Sequence, residues 1–128
     1  HLALAADSPS YRALRPREYF RTLKRVFEAL LRAGHVRAAA ELAPEYARAF
    51  ENACTYLSAS ARISFYKNIG QLLAARGETY RAMRLLDLCL QASELAGLNG
   101  QRRQLLHLLQ DVTNGRPAVL ETFRATLP

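Results

Sequence analysis

The chain has 128 residues, half of them hydrophobic, and its formal charge of +7 comes almost entirely from arginine. This length and apolar content are sufficient to bury the core of one domain, and the composition excludes an intrinsically disordered chain. Charged residues or glutamine interrupt every apolar stretch well before the roughly 18 residues of a membrane-spanning helix, so the sequence predicts no span.

The two cysteines indicate the cellular compartment, and the excess positive charge indicates the class of binding partner. Cys54 and Cys89 are too few and too far apart for a disulfide framework, so we expect an intracellular, cytoplasmic location. Arginine stays charged and binds carboxylates and phosphates bidentately, so the excess positive charge predicts an anionic partner. We expect residues 1–15 to be an N-terminal segment, in part a tag or linker, and residues 16–128 to form a helical domain.

The first half of the chain predicts two helices. Apolar residues recur at helical spacing over about residues 17–33, and Gly34 follows as a stop signal. A second apolar stripe runs from Leu42 to Leu57 and keeps its phase across Pro44. Proline removes one backbone hydrogen bond and disfavours helical geometry at the preceding residue, so we expect one long helix with a kink there.

The second half predicts four more helices. Two of them cover about residues 60–76 and 79–95, and Tyr66 is expected among the core residues of the former. Asn99 stands where the N-cap of a fifth helix would be, and a short sixth helix is expected over residues 117–127.

The two glycines Gly70 and Gly77 indicate how these helices are arranged. Gly77 lies between two apolar stripes, where a tight turn needs a residue that accepts positive φ. Gly70 lies two turns earlier, on the inner face of a helix, where a missing side chain lets a second helix approach closely. No stretch alternates with a period of two, so the predicted fold class is all-α, built from antiparallel helical hairpins.

The stretch around these glycines resembles the tetratricopeptide repeat (TPR). The residues that carry the resemblance are Tyr66, Ile69, Gly70, Leu73, Ala82 and Leu86. A partial, degenerate copy runs from Leu23 to Ala43. Gly115 is a third candidate, and we interpret the end of the chain as a final helical pair that caps the stack. The resemblance implies a short TPR-like α-solenoid of about five to seven helices that serves as a protein-interaction or assembly scaffold.

The resemblance also implies a ligand groove lined by the first helix of each hairpin. Some family members clamp the C-terminal carboxylate of an acidic peptide with a lysine and an asparagine, and Lys24 and Asn68 match those positions. Alternatively, both are ordinary solvated residues. The groove residues are therefore predicted to be Arg21, Lys24, Arg25, Glu28, Tyr66, Lys67, Asn68 and Gln71, although Glu28 stands where the clamp pattern has a second asparagine.

A basic cluster near the N-terminus suggests nucleic-acid binding as an alternative function. Its members are Arg12, Arg15, Arg17, Arg21, Lys24 and Arg25. Such a helix face can follow a phosphate backbone, and Tyr11, Tyr19 and Phe20 lie close by in sequence. Phe20 belongs to the apolar stripe of its helix, so we expect it in the core rather than available for base stacking.

The sequence gives no pattern typical of an enzyme, a metal site or a cofactor. Cys54 and Cys89 lie on apolar stripes and lack the paired spacing of a zinc site. No phosphate-binding glycine loop or nucleophile elbow is present. The partner is therefore expected to be another protein or an acidic peptide, with self-association as a further expectation because a short helical stack exposes its terminal apolar faces.

Overall fold

The computed structural model describes residues 15–114, and all of its regular structure is helical. No strand occurs in this range, which confirms the all-α, helical-hairpin fold class. The helices are α1 (Pro16–Arg32), α2 (Val36–Ala53), a 3-10 helix (Cys54–Tyr56), α3 (Ala59–Ala75), α4 (Thr79–Leu95) and α5 (Asn99–Asn114). The predicted N-terminal segment, the turn at Gly115 and the sixth helix lie outside the described residues.

Three of the helix connections have the same form. Each is a three-residue turn whose central glycine has a positive φ: 77° at Gly34, 82° at Gly77 and 70° at Gly97. In each turn the residue after the glycine donates its N–H to the carbonyl five residues earlier, at 2.9 Å in all three cases. This is the Schellman arrangement, which ends a helix abruptly, and such short turns make neighbouring helices antiparallel.

The α2 helix continues through its internal proline. Pro44 lies within Val36–Ala53, and the helix continues on both sides of it despite the missing backbone hydrogen bond. This confirms one helix rather than two. The helix ends earlier than the apolar stripe does, however, because the backbone turns into the 3-10 helix at Cys54 and becomes extended at the buried Leu57.

The chain divides into two compact units between Phe65 and Tyr66, and an aromatic cluster forms the core of the first unit. Its rings are Phe20, Phe27, Tyr46, Phe50 and Phe65, all at most 6% exposed. Phe50 and Phe65 stack with centroids 4.0 Å apart, and Phe27 lies 4.8 Å from Tyr46. Aromatic pairs of this kind contribute about 0.5–1.5 kcal/mol each beyond their buried area. The cluster fixes the rotation of α1, so the opposite side of that helix faces outward.

The second unit contains the close helix contact predicted at Gly70. A Cβ atom built on Gly70 would lie 2.9 Å from Leu86 Cδ2 and 3.9 Å from the carbonyl oxygen of Ala82. Leu86 and Ala82 on α4 are fully buried, as is Leu105 on α5. The missing side chain therefore brings the α3 backbone against α4, as the sequence predicts.

Two details of the sequence prediction are wrong. Tyr66 is 43% exposed, whereas its neighbour Phe65 is buried. Adjacent helical residues point about 100° apart, so only one of two neighbouring aromatics can face the core. Asn99 is the first residue of α5 instead of its N-cap, because the turn at Gly97 brings the chain into the helix one residue earlier than expected.

Candidate interaction surface

The outward side of α1 carries a line of basic residues, which we call the α1 basic stripe. Its members recur at three-, four- and eight-residue intervals and share one face of the helix: Arg17, Arg21, Lys24, Arg25 and Arg32. The four arginines are exposed and Lys24 is half-buried. Only Glu18 and Glu28 oppose them on the helix, so α1 carries an excess of three positive charges.

All four arginines on α1 lack a carboxylate within ion-pair distance in the described part of the chain, a feature that Arg62, Arg84 and Arg103 share singly on α3, α4 and α5. Five arginines after α1 do form ion pairs: Arg37 with Glu41, Arg48 with Glu45, Arg76 and Arg81 with Glu78, and Arg102 with Glu94. Arg15, just before α1, binds Glu18 at 3.0 Å. The positive field of α1 is therefore not cancelled by neighbouring carboxylates among residues 15–114.

The structure places the predicted groove residues on two helices and removes one of them from the surface. Arg21, Lys24, Arg25 and Glu28 lie on α1 in the first unit, and the remaining four lie on α3 in the second unit. Asn68 is only 1% exposed, so its side chain packs inside the protein and does not present a clamp to solvent. Tyr66 is exposed, and Lys67 and Gln71 are half-buried.

Two of the three aromatic residues next to the basic cluster are buried, and the third, Tyr11, lies outside the described residues. Tyr19 and Phe20 are 4% and 1% exposed. The Tyr19 hydroxyl donates a hydrogen bond to the carboxylate of Glu45 on α2, which Arg48 also contacts. The expectation that Phe20 belongs to the core is confirmed, and Arg12 lies outside the described residues.

Neither cysteine belongs to a cluster of metal-ligating side chains among residues 15–114. Cys89 is buried on α4, and this burial raises the pKa of its thiol to about 11, so the reactive thiolate is scarce at neutral pH. Cys54 is half-buried at the end of α2, and neither cysteine forms a disulfide. Across residues 15–114, no three histidine, cysteine or carboxylate side chains come together as a potential metal site.

A second outward surface lies on α4, and the sequence prediction missed it. Leu88 is 59% exposed and Leu95 is 91% exposed, although both are large and apolar. Tyr80 is 45% exposed, and the Arg84 guanidinium lies 5.9 Å from the centre of its ring. The signal for this surface was the excess of leucines on α4, which are too many for one buried face.

Within residues 15–114, none of the five helices is both long enough and apolar enough to cross a bilayer.

No protein-family model, curated protein or solved structure matches the chain.

Proposed function

We propose that the chain is a protein-interaction or assembly module, a TPR-like set of helical hairpins that binds an acidic segment of another protein along the α1 basic stripe. The observation that carries the proposal is the row of exposed α1 arginines, none of which has a carboxylate within ion-pair distance among the described residues. The close approach of Gly70 to Leu86 supports the hairpin resemblance. Such a module would work inside a larger regulator, chaperone or complex in the cytoplasm.

The spacing of the stripe fits regularly placed carboxylates. Arg17, Arg21 and Arg25 follow each other at four-residue intervals, which corresponds to a rise of about 6 Å from one to the next. Carboxylates four residues apart on a helix have the same spacing, and alternate residues of an extended peptide are about 6.7 Å apart. Each exposed ion pair contributes at most about 1 kcal/mol, so affinity would require several pairs together and would fall with salt.

The surface of α1 next to the basic stripe also exposes apolar side chains that a protein partner could cover. Val26 is 42% exposed and lies beside Arg25, and Ala29 is exposed one turn further on. Burying this apolar strip would add about 25 cal/mol per Å² of apolar surface removed from water. An acidic amphipathic segment uses both the charges and the apolar strip, which favours a protein over a simple anion.

Nucleic-acid binding is the alternative, and the same stripe supports it. The α1 arginines could follow a phosphate backbone, and such binding is steeply salt-dependent. The burial of Tyr19 and Phe20 counts against base stacking on this helix. Binding through this surface would therefore be independent of base sequence, and we rank it second.

The test uses ligands and variants that differ only in charge. A labelled helical peptide with glutamates at four-residue intervals is titrated by fluorescence anisotropy, beside an otherwise identical peptide with glutamines. Single-stranded RNA and duplex DNA are titrated in parallel at about 50, 100 and 200 mM salt. The α1 variant is Arg21→Glu with Arg25→Glu, and the matched control is Arg37→Glu with Arg103→Glu, which changes the net charge equally at two exposed positions on α2 and α5.

We expect the chain to bind the glutamate peptide and to bind the glutamine peptide at least tenfold more weakly. The α1 variant should lose at least tenfold in affinity for the glutamate peptide, and the control less than about twofold, because only the former reverses charges on the stripe. Equal losses in both variants would mean that net charge alone attracts the ligand. Tight binding of RNA or DNA without binding of the glutamate peptide would establish the alternative.

A further inference from the structure

The outward side of α4 exposes a row of four apolar or aromatic residues and one arginine, which we call the α4 outer stripe. It consists of Tyr80, Arg84, Leu88, Ala92 and Leu95, which share one helix face by their three- and four-residue spacing. All five are exposed, with Leu95 at 91% and Leu88 at 59%. The row lies opposite the buried face of α4, which contains Ala82, Met83, Leu86, Cys89 and Ser93. Two leucines so open to water indicate a contact surface rather than a core.

The charges beside the α4 outer stripe are balanced, in contrast to those of α1. Arg81 and Arg84 are matched by Asp87 and Glu94 on the same helix. A surface without net charge does not select an acidic or a basic partner, and it does not repel its own copy. The Arg84 guanidinium has no carboxylate within ion-pair distance in the described range and lies over the Tyr80 ring, so it can accept a new carboxylate partner.

The order of the side chains along the stripe is compatible with two-fold symmetry. Leu88 lies near the midpoint, about 12 Å along the axis from Tyr80 and about 10 Å from Leu95. If a second α4 packs antiparallel about Leu88, the two Leu88 side chains meet, and each Tyr80 lies opposite a Leu95. Arg84 lies in the stripe, and Glu94 lies beside the stripe on the other side of Leu88 along the helix axis. The same packing therefore brings Arg84 of one copy towards Glu94 of the other, which also forms an ion pair with Arg102 on α5 of its own chain.

We propose that the α4 outer stripe is a homotypic interface, and that its occupant is the α4 helix of a second copy of this chain, packed antiparallel. A two-fold interface must be self-complementary, and this stripe meets that condition in its apolar spacing, with Glu94 beside it as the opposite charge for Arg84. The composition also suits the centre of an interface, where tyrosine and arginine are enriched. The proposal concerns the second unit alone and does not depend on the α1 basic stripe.

The expected dimer is weak. One helix face per subunit buries less than about 1,200 Å² in total, which is the size class of weak and transient complexes. The dimer should therefore dissociate on dilution. This property suits a module that joins copies only when they are concentrated together, for example by a shared partner.

Sedimentation equilibrium of the full chain between about 1 µM and about 1 mM tests the proposal, because this range brackets the affinities of weak complexes. The variant Leu88→Glu should weaken the dimer at least tenfold, because the substitution places two like charges at the centre of the contact. The matched control is Tyr56→Glu, since Tyr56 is 63% exposed but lies in the first unit. Circular dichroism should be unchanged in both variants because neither side chain is buried.

Substitutions at Arg84 and Glu94 test whether the two α4 helices pack antiparallel. Arg84→Glu alone and Glu94→Arg alone should each weaken the dimer, and the two substitutions together should restore it. Parallel packing would place each residue beside its own copy, so the double variant would show no rescue. A chain that stays monomeric to about 1 mM would overturn the proposal, as would a dimer that Leu88→Glu leaves intact or a double variant without rescue.

Discussion

Replacing Gly70 with alanine tests the close packing of α3 against α4. The added Cβ would lie 2.9 Å from Leu86 Cδ2 and 3.0 Å from Leu86 Cγ, closer than carbon atoms approach in proteins. Leu86 is fully buried, so it cannot move away without displacing other core residues. The substitution is therefore expected to strain the core of the second unit.

Two opposing effects set the magnitude of this change. Alanine is favoured over glycine in a helix by about 1 kcal/mol, which would stabilise the protein. Overpacking of a well-filled core costs about 1–3 kcal/mol. The free energy of unfolding of the Gly70→Ala protein should therefore fall by about 1 kcal/mol, which corresponds to a loss of about 4 °C in Tm for a chain of this length.

The measurement is urea unfolding followed by circular dichroism, with Gly100→Ala as the matched control. Gly100 lies in the first turn of α5, and a Cβ atom there would meet nothing within 4 Å. The control should therefore be stabilised by about 0.5 kcal/mol. Comparing the same chemical change at two helical positions isolates the cost of the contact with Leu86.

A second comparison identifies the contact itself. In a Leu86→Ala background the space beside Gly70 is open, so Gly70→Ala should become stabilising by about 1 kcal/mol. The reasoning is refuted if Gly70→Ala stabilises the otherwise unchanged protein as much as Gly100→Ala does. A destabilisation of the same size in the Leu86→Ala background would also contradict it.

Three further predictions follow from single features of the structure. Gly77→Ala should cost about 1–2 kcal/mol of unfolding free energy, measured in urea, because its φ of 82° strains any residue with a Cβ; unchanged stability would contradict this. Tyr19→Phe should cost about 1 kcal/mol in the same assay, since it removes the hydrogen bond to Glu45. In thiol labelling at pH 8, followed by mass spectrometry, Cys54 should react well before Cys89, whose buried thiol has a pKa near 11; equal rates would contradict the burial of Cys89.

The positions of the interaction surfaces were only partly readable from the sequence. The basic residues of α1 follow from their spacing, because a helix with Phe20, Leu23 and Phe27 on its inner side must turn Arg21 and Arg25 outward. The exposure of the α4 outer stripe could not be predicted from residue spacing. Leucines occur on several sides of α4, and a periodic pattern does not say which of them a neighbouring helix covers.

Asn68 was predicted to line the groove but is buried because of its position on α3. Phe65, Asn68 and Leu72 share one row of α3 at three- and four-residue spacing, and all three are buried. The sequence prediction placed Tyr66 in the core instead of Phe65, which points about 100° away, and assigned Asn68 to the groove from the repeat resemblance. Which of the two neighbouring aromatics is buried depends on the rings of the first unit's core, against which Phe65 packs.

The sequence by itself determined the all-α fold, the approximate helix bounds, the turns at Gly34 and Gly77 and the role of Gly70. These features are local, because helical periodicity and the positive φ of a turn glycine act within a few residues. Only the tertiary structure decided which side of α3 is buried and that Leu88 and Leu95 face water. Burial depends on residues that are distant in sequence but adjacent in space, and no pattern within a single helix contains that information.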